Sequence, residues 1–325
     1  MTIAAFDVLG IGNAIVDVIS RADEGFLTKH ELVKGSMMLI DEARAEALYA
    51  AMGPGVEVSG GSCGNTMAGM ASFGGKGAYI GKVRDDQLGT VFGHDLQATG
   101  VSFETARATS GPATARCLIL VTPDAQRTMS TYLGACTGLG PNDIDVARVG
   151  SAQVTYVEGY LWDAPDAKKA VVKAFDAAHA AGRLVSITLS DSFCVDRYRD
   201  EFRALIRDKV DILFANETEI KSLYQVDTFE AALEATRKEA KIAALTRSEK
   251  GSVVVRGAET HAVPAASVAK VVDTTGAGDL YASGFLFGHT HGKPLAECAR
   301  LGAIAAAEII AHVGARPERP LRELI

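Results

Sequence analysis

Short, mostly apolar runs recur along the chain, and longer amphipathic stretches separate most of them. This alternation limits the fold more than any other feature of the sequence. Phe6–Gly12, Ala78–Val83, Val154–Val157, Leu184–Leu189, Asp211–Phe214 and Ile242–Thr246 read as strands buried on both faces. Helical patterns lie between most of them, as at Asp166–Ala181 and Phe229–Ala240. Two long helices are expected to close the chain, at about Gly276–Gly288 and Pro294–His312. A strand apolar on both faces needs cover on both, and parallel crossovers through helices supply it. The predicted fold is therefore α/β, with a mainly parallel central sheet flanked by helices. The 33 glycines against 9 prolines suit many tight strand-to-helix turns rather than linkers.

Two regions break the alternation. Ser36–Asp41 and Ala115–Thr122 look like strands without crossover helices, and the second turns through Pro123–Asp124 into Thr128–Leu133 as a hairpin. They predict a small β-sheet lid standing off the main sheet, inserted at about 13–41 and 109–135 in a single domain spanning 1–325. The sequence shows no repeat and no low-complexity tract.

The net charge of −7 provides no basic face for nucleic acid. Cys63, Cys117, Cys136, Cys194 and Cys298 are scattered without a CxxC pair and read as core thiols in a reducing compartment. The seven histidines show no metal-ligand spacing. Met1–Phe6 lacks the pattern of a signal peptide, and the longest apolar run, Leu301–Val313, is too short to span a bilayer. A cytoplasmic protein without membrane or nucleic-acid partners is expected.

The sharpest chemical signal is Val271-Val272-Asp273-Thr274-Thr275-Gly276-Ala277-Gly278-Asp279, which opens an apolar helix. With Thr275 as its cap, the helix would present the free N–H groups of Gly276, Ala277 and Gly278 at its positive end. Small residues let a phosphate approach such a cradle. A carboxylate beside it, Asp279, can take a proton from a hydroxyl while the cradle steadies a transferred phosphoryl group.

This string, followed by Leu280-Tyr281-Ala282-Ser283-Gly284-Phe285, resembles the C-terminal signature of the ribokinase-like (PfkB) carbohydrate and nucleoside kinases. The resemblance implies Asp279 as catalytic base, Gly276–Gly278 as anion hole, and a sheet domain with a β-lid. It runs along nearly the whole chain. Gly10-Ile11-Gly12-Asn13-Ala14-Ile15-Val16-Asp17 looks like the family's first strand with its substrate-binding Asp17. Ile15 stands where a dinucleotide fingerprint would need Gly or Ala. Gly60-Gly61-Ser62-Cys63-Gly64-Asn65 opens another apolar helix and matches the family's Gly-Gly before a helix with Asn one turn in. Gly81–Gly89 resembles the N-terminal signature, with Arg84 in place of a common Gly, and reads as structural.

Asn216-Glu217-Thr218-Glu219 serves equally well as a helix start, with Asn as cap and acids in the first turn. Its match to the family's Asn-Glu-x-Glu implies that Asn216 lies near nucleotide phosphates and that Glu219 orders water around Mg²⁺. Thr246-Arg247-Ser248-Glu249-Lys250-Gly251 resembles the family's nucleotide loop, with Ser248 replacing its first Gly. Thr246 and Gly251 are the candidates there. The cofactors implied are ATP and Mg²⁺, with a monovalent cation such as K⁺ as a further candidate.

Several segments look specifically like the adenosine kinases of the family: Gly12-Asn13 before Asp17, Arg127-Thr128-Met129, Asp211-Ile212-Leu213-Phe214, and Gly314-Ala315-Arg316-Pro317. In that subgroup a lid arginine touches phosphate, a role that falls on Arg127. Met37, Met38, Leu39, Met129 and Leu133 are apolar where a sugar-only pocket would want donors, and flexible methionines suit a flat purine. Tyr160, Leu161 and Trp162 add an aromatic wall. The expected reaction is transfer of the ATP γ-phosphoryl group to the ribose 5′-hydroxyl of a purine nucleoside, adenosine to AMP. Asn13, Asp17, Gly61 and Asn65 would bind the substrate. The alternatives are a PfkB-type sugar kinase acting on ribose, fructose or a related sugar, and a nucleotide-responsive binding protein without catalysis. Monomer and homodimer both remain open.

Overall fold

The computed structural model describes residues 4–124 and 126–325. The start of the Met1–Phe6 segment and position 125 within the expected lid lie outside the described residues.

In chain order the strands are β1 (Phe6–Ile11), β2 (Ile15–Arg21), β3 (Met37–Leu39), β4 (Gly55–Ser59), β5 (Gly77–Ile80), β6 (Ser102–Phe103), β7 (Ala115–Val121), β8 (Arg127–Tyr132), β9 (Ala152–Glu158), β10 (Leu184–Thr188), β11 (Ile212–Asn216), β12 (Ile242–Thr246), β13 (Ser252–Arg256) and β14 (Glu259–Val263). Every apolar run read as a doubly buried strand contributes a strand to the larger sheet. That sheet has the order β14-β13-β12-β11-β10-β9-β1-β5-β6. It is parallel from β12 through β6, and β13 and β14 add an antiparallel edge. The run expected over Ala78–Val83 stops as a strand at Ile80, where its partner β1 also ends, in the register Ile11 to Ile80.

Helices cover both faces. One core holds Phe175, Phe202 and Ile206 against the sheet. The other holds Met67, Phe92 and Phe285. Each fully buried Phe contributes about 1.5–3 kcal/mol of burial free energy. All five cysteines are buried and unpaired. Among the described residues no helix is long and apolar enough to cross a membrane.

The second sheet has the order β3-β8-β7-β2-β4. The expected hairpin is present as β7 and β8, paired antiparallel. Two strands in this sheet were not anticipated. β2 follows β1 after a three-residue break and runs parallel to β7. β4, at the sheet edge, lies beyond the lid boundaries read from sequence. Side chains on β2 alternate between buried and half-buried, because one face packs on the core and the other faces an opening. The two final helices span Ala277–Thr290 and Leu295–Ile309; the first runs two residues further than expected and the second ends three residues earlier.

Candidate active site

The strand ends and the second sheet enclose a cavity of about 640 Å³. Its floor comes from the C-terminal ends of parallel strands, where open α/β sheets place ligands. Asn13 follows β1, Glu158 ends β9, Thr188 ends β10, Asn216 ends β11 and Thr246 ends β12. Its roof is the inner face of the second sheet, read off at a period of two: Ile15 and Asp17, Cys117 and Ile119, Met129 and Thr131, Met37 and Leu39. Met38 points the other way and packs against the core, which corrects its expected place in the pocket.

Asp279 lies in the first turn of the helix Ala277–Thr290. Ser62 Oγ donates to its Oδ1 at 2.6 Å and Asn65 Nδ2 to its Oδ2 at 3.0 Å. Burial pushes its carboxyl above the ordinary value, opposed by these two bonds and by the charge of Arg316. The Asn65 Oδ1 is buried without a partner and so has an acceptor to spare beside Asp279.

The helix cap differs from the expected one. Gly276, not Thr275, is the N-cap, at φ +79°, and no side chain caps the helix. A Cβ at Gly276 would press against Ala315. Thr275 instead donates its N–H to Asp273 Oδ1 at 3.0 Å. Residues Thr274–Asp279 all line the cavity. Among the described residues the N–H groups of Gly276, Gly278 and Asp279 have no protein acceptor, whereas Ala277 donates to Thr274 O at 3.2 Å. The free N–H groups at this helix start are therefore shifted by one donor from the expected set.

Gly61, at φ +80°, turns the chain from β4 into the helix Ser62–Ser72. A Cβ there would collide with the carbonyl of Asn13, so the two cavity-lining loops touch through this glycine. No donor among the described residues reaches the carboxylate of Asp17. Burial pushes its pKa up to about 6, against the charges of Arg316 and Arg127 and with that of Asp279. Glu158 is 1% exposed and accepts from the backbone N–H groups of Asn13 (2.9 Å) and Cys63 (2.8 Å). Burial raises its pKa to about 7 despite those bonds.

Asn216 and Glu219 line the cavity and also form a complete capping box. Asn216 Oδ1 accepts from Glu219 N at 2.9 Å, and Glu219 Oε2 accepts from Asn216 N at 2.9 Å. Burial pushes Glu219 up to about 7. The helix-start reading of this motif is thus present in full, in residues that also line the cavity. Ser248 sits at φ +52°, a conformation that favours glycine, at the place where the resembling loop carries one.

Two expected site residues do not line the cavity. Gly251, at φ +81°, closes the turn between β12 and β13, with its Cα against the backbone around Val263–Ala265. Arg127 is buried in an ion pair with Asp273 Oδ2 at 2.6 Å, which ties β8 to the start of the cradle. Its Nε is buried without an acceptor. Of the proposed aromatic wall, Tyr160 lines the cavity. Leu161 and Trp162 are core residues, and Trp162 donates to Glu201 Oε2 at 2.9 Å. Phe193 lines the mouth while 73% exposed, and it was not anticipated. Neither were Ser62, Glu158 and Arg316. Glu158 had a legible signal, an acid closing an apolar strand just before a glycine.

The profile of the pfkB family carbohydrate kinases matches residues 35–322. The chain belongs to that family. Among solved structures, this kinase is 55% identical to the adenosine kinase from Sinorhizobium meliloti, with a TM-score of 0.91 over 99% of this chain and 98% of that one. It is 53% identical to a "probable sugar kinase protein from Rhizobium etli CFN 42", with a TM-score of 0.92 over the same shares. The adenosine kinase of Saccharomyces cerevisiae is 27% identical and covers 94% of both chains.

Proposed function

We propose that this kinase transfers the γ-phosphoryl group of ATP to the 5′-hydroxyl of a purine nucleoside, with adenosine as substrate and AMP as product. The observation that carries this reading is the contrast within one cavity. Asp279, the spare acceptor of Asn65 and the free cradle N–H groups sit opposite a roof made of Met37, Leu39, Ile119, Met129 and Leu133. A polar floor suits a ribose, and an apolar roof suits a base. Similarity to the Sinorhizobium adenosine kinase supports the same substrate.

Asp279 takes the proton of the 5′-hydroxyl as that oxygen bonds to the γ-phosphorus and the bond to the β-phosphate oxygen breaks, releasing ADP. The N–H groups of Gly276 and Gly278 stabilise charge on the moving phosphoryl group. Asn13, Asp17, Gly61 and Asn65 hold the ribose. Asn216 and Thr246 lie where ATP phosphates would reach. Among the described residues no group of three or more His, Cys, Asp or Glu is placed to ligate a metal. Mg²⁺ would therefore be held through phosphate oxygens and water, with Glu219 as its outer carboxylate, and would offset phosphate charge.

A second reading, a PfkB-type sugar kinase, draws on two buried acids, Asp17 in the roof and Glu158 in the floor, and on similarity to the Rhizobium protein. ATP consumption against a panel of nucleosides and sugars separates the two. Adenosine should exceed ribose and fructose in kcat/KM, because base burial adds binding energy that positions the reacting oxygen. Met129→Asp should lower adenosine kcat/KM about 10-fold or more, the scale of one desolvated charge against a base, and leave ribose turnover comparatively intact. Equal turnover of ribose and adenosine by the wild type would instead establish the sugar kinase.

Glu219→Gln should shift the Mg²⁺ titration at saturating ATP to higher concentration by roughly 10-fold, the usual scale for loss of an outer-shell partner. Adenosine binding measured without nucleotide should stay unchanged. An unshifted titration would leave Glu219 only its role in the capping box.

A further inference from the structure

Arg316 lies beyond the last long helix, in the segment Gly314–Arg316, far in sequence from the groups it reaches. Its Nε donates to Ser59 O at 2.9 Å and its Nη1 to Gly64 O at 2.6 Å. Its Nη2 donates to Ser59 O and, at 2.9 Å, to Ser59 Oγ. Ser59 ends β4, and Gly64 lies in the first turn of the helix Ser62–Ser72. The guanidinium therefore grips both ends of the turn that carries Gly61, Ser62 and, one residue past Gly64, Asn65. Ser62 and Asn65 are the two side chains bonded to Asp279.

None of these contacts is to a carboxylate. The charge of Arg316 is compensated at longer range by Asp17 on β2, Asp279 on the final pair of helices, and Asp95, which accepts from Ser59 Oγ at 2.6 Å. A planar fork with permanent charge suits this place, since it serves two carbonyls and a hydroxyl while staying ionised. We infer that Arg316 is a positioning residue for phosphoryl transfer: it clamps the turn that aims Ser62 and Asn65 at Asp279, and its fixed charge stabilises the carboxylates of Asp17 and Asp279. This rests on Asp279 being the base.

Other groups act on the same two acids. Around Asp279 stand Ser62 and Asn65, and its charge is felt by Glu158 on β9, Glu219, Cys63, Tyr156 and Tyr160. Around Asp17 stand Arg127 on β8, Cys117 on β7 and Asp279. Burial raises both carboxyls, and Arg316 is the strongest opposing charge for Asp17 and the opposing charge for Asp279. Loss of that charge should move both acids to higher pH, so the base is protonated, and idle, at a pH where the wild type still works.

The test compares kcat/KM against pH for wild type, Arg316→Met, Arg316→Gln and Arg316→Lys, using whichever nucleoside or sugar the wild type phosphorylates. Failure of the nucleoside reading then changes the substrate and not the comparison. The acid limb should move up by about one pH unit in Arg316→Met and Arg316→Gln, the usual scale for loss of a nearby opposite charge. Arg316→Lys should keep the wild-type limb while its plateau falls, because charge is retained and the fork is lost. If Arg316→Met does not fold, Arg316→Gln carries the comparison with a donor still facing Ser59. Calorimetric binding of the substrate against pH, without ATP, gives the Asp17 part of the limb independently of turnover. An acid limb that stays in place in the neutral variants, with only the plateau or the melting temperature lowered, overturns the inference and leaves Arg316 a structural tie.

Discussion

Asp279→Asn is expected to lower kcat by at least about 100-fold, the lower end of the usual contribution of a general base. The change is nearly isosteric, and Ser62 can still donate to the remaining amide oxygen. The amide cannot accept a proton from the substrate, and it brings a donor against Asn65 Nδ2, which already donates at this point. Asn65 is expected to flip its amide, spending the spare acceptor that faces the substrate. KM for adenosine should therefore rise modestly while kcat collapses, because most of what is lost is made only in the transition state. Steady-state kinetics with a melting temperature no lower than wild type would show this pattern. A variant turning over within a few-fold of wild type would remove Asp279 from the role of base.

Much of the candidate site is legible in the sequence, and the parts that are not share a cause. The helix start at Gly276–Asp279, the Gly60–Gly61 turn and the Asn216–Glu219 cap each sit within one short segment, so local patterning exposed them. The parallel sheet was legible because its strands are apolar on both faces. β2 and β4 were not: β2 is apolar on one face and opens on the cavity with the other, and β4 is an exposed edge. Their periodicity is clear only once their partners are known. Ser62, Glu158 and Arg316 act across sequence separations of 217, 145 and 257 residues. The segment Gly314–Pro317 stands out by resemblance, but nothing local gives Arg316 its role, because its three acceptors are carbonyls and a hydroxyl that any sequence could provide. Resemblance directs Arg127 to phosphate, whereas its buried pairing with Asp273 depends on a carboxylate 146 residues away. Removing either partner of that pair alone would strand a buried charge, at about 3–5 kcal/mol.

Asp17→Ala should raise KM for adenosine about 10- to 100-fold with a smaller effect on kcat. The carboxylate has no donor among the described residues and faces the cavity, so its acceptor capacity is directed at a ligand. One hydrogen bond to a charged acceptor contributes roughly 1.5–3 kcal/mol, and each 1.4 kcal/mol is tenfold in binding. Stability should move the opposite way. Burial lifts the Asp17 pKa from 3.8 to about 6, so the folded state holds this proton more tightly than the unfolded state. The ionised group therefore destabilises the fold progressively as pH rises from about 4 to 6, and fully above that. Asp17→Asn, which keeps the volume and removes the charge, should melt higher than wild type at pH 7.5 and close to wild type below pH 4. The shift corresponds to about 3 kcal/mol at most. It should also lose the part of the acid limb of kcat/KM that falls near pH 6. A fold made less stable at neutral pH by the carboxylate, yet binding substrate through it, is what a ligand-directed acid requires. If Asp17→Asn melts lower than wild type at pH 7.5 and KM for Asp17→Ala is unchanged, Asp17 is a structural acid of β2, and the ribose must be held by Asn13, Gly61 and Asn65 alone.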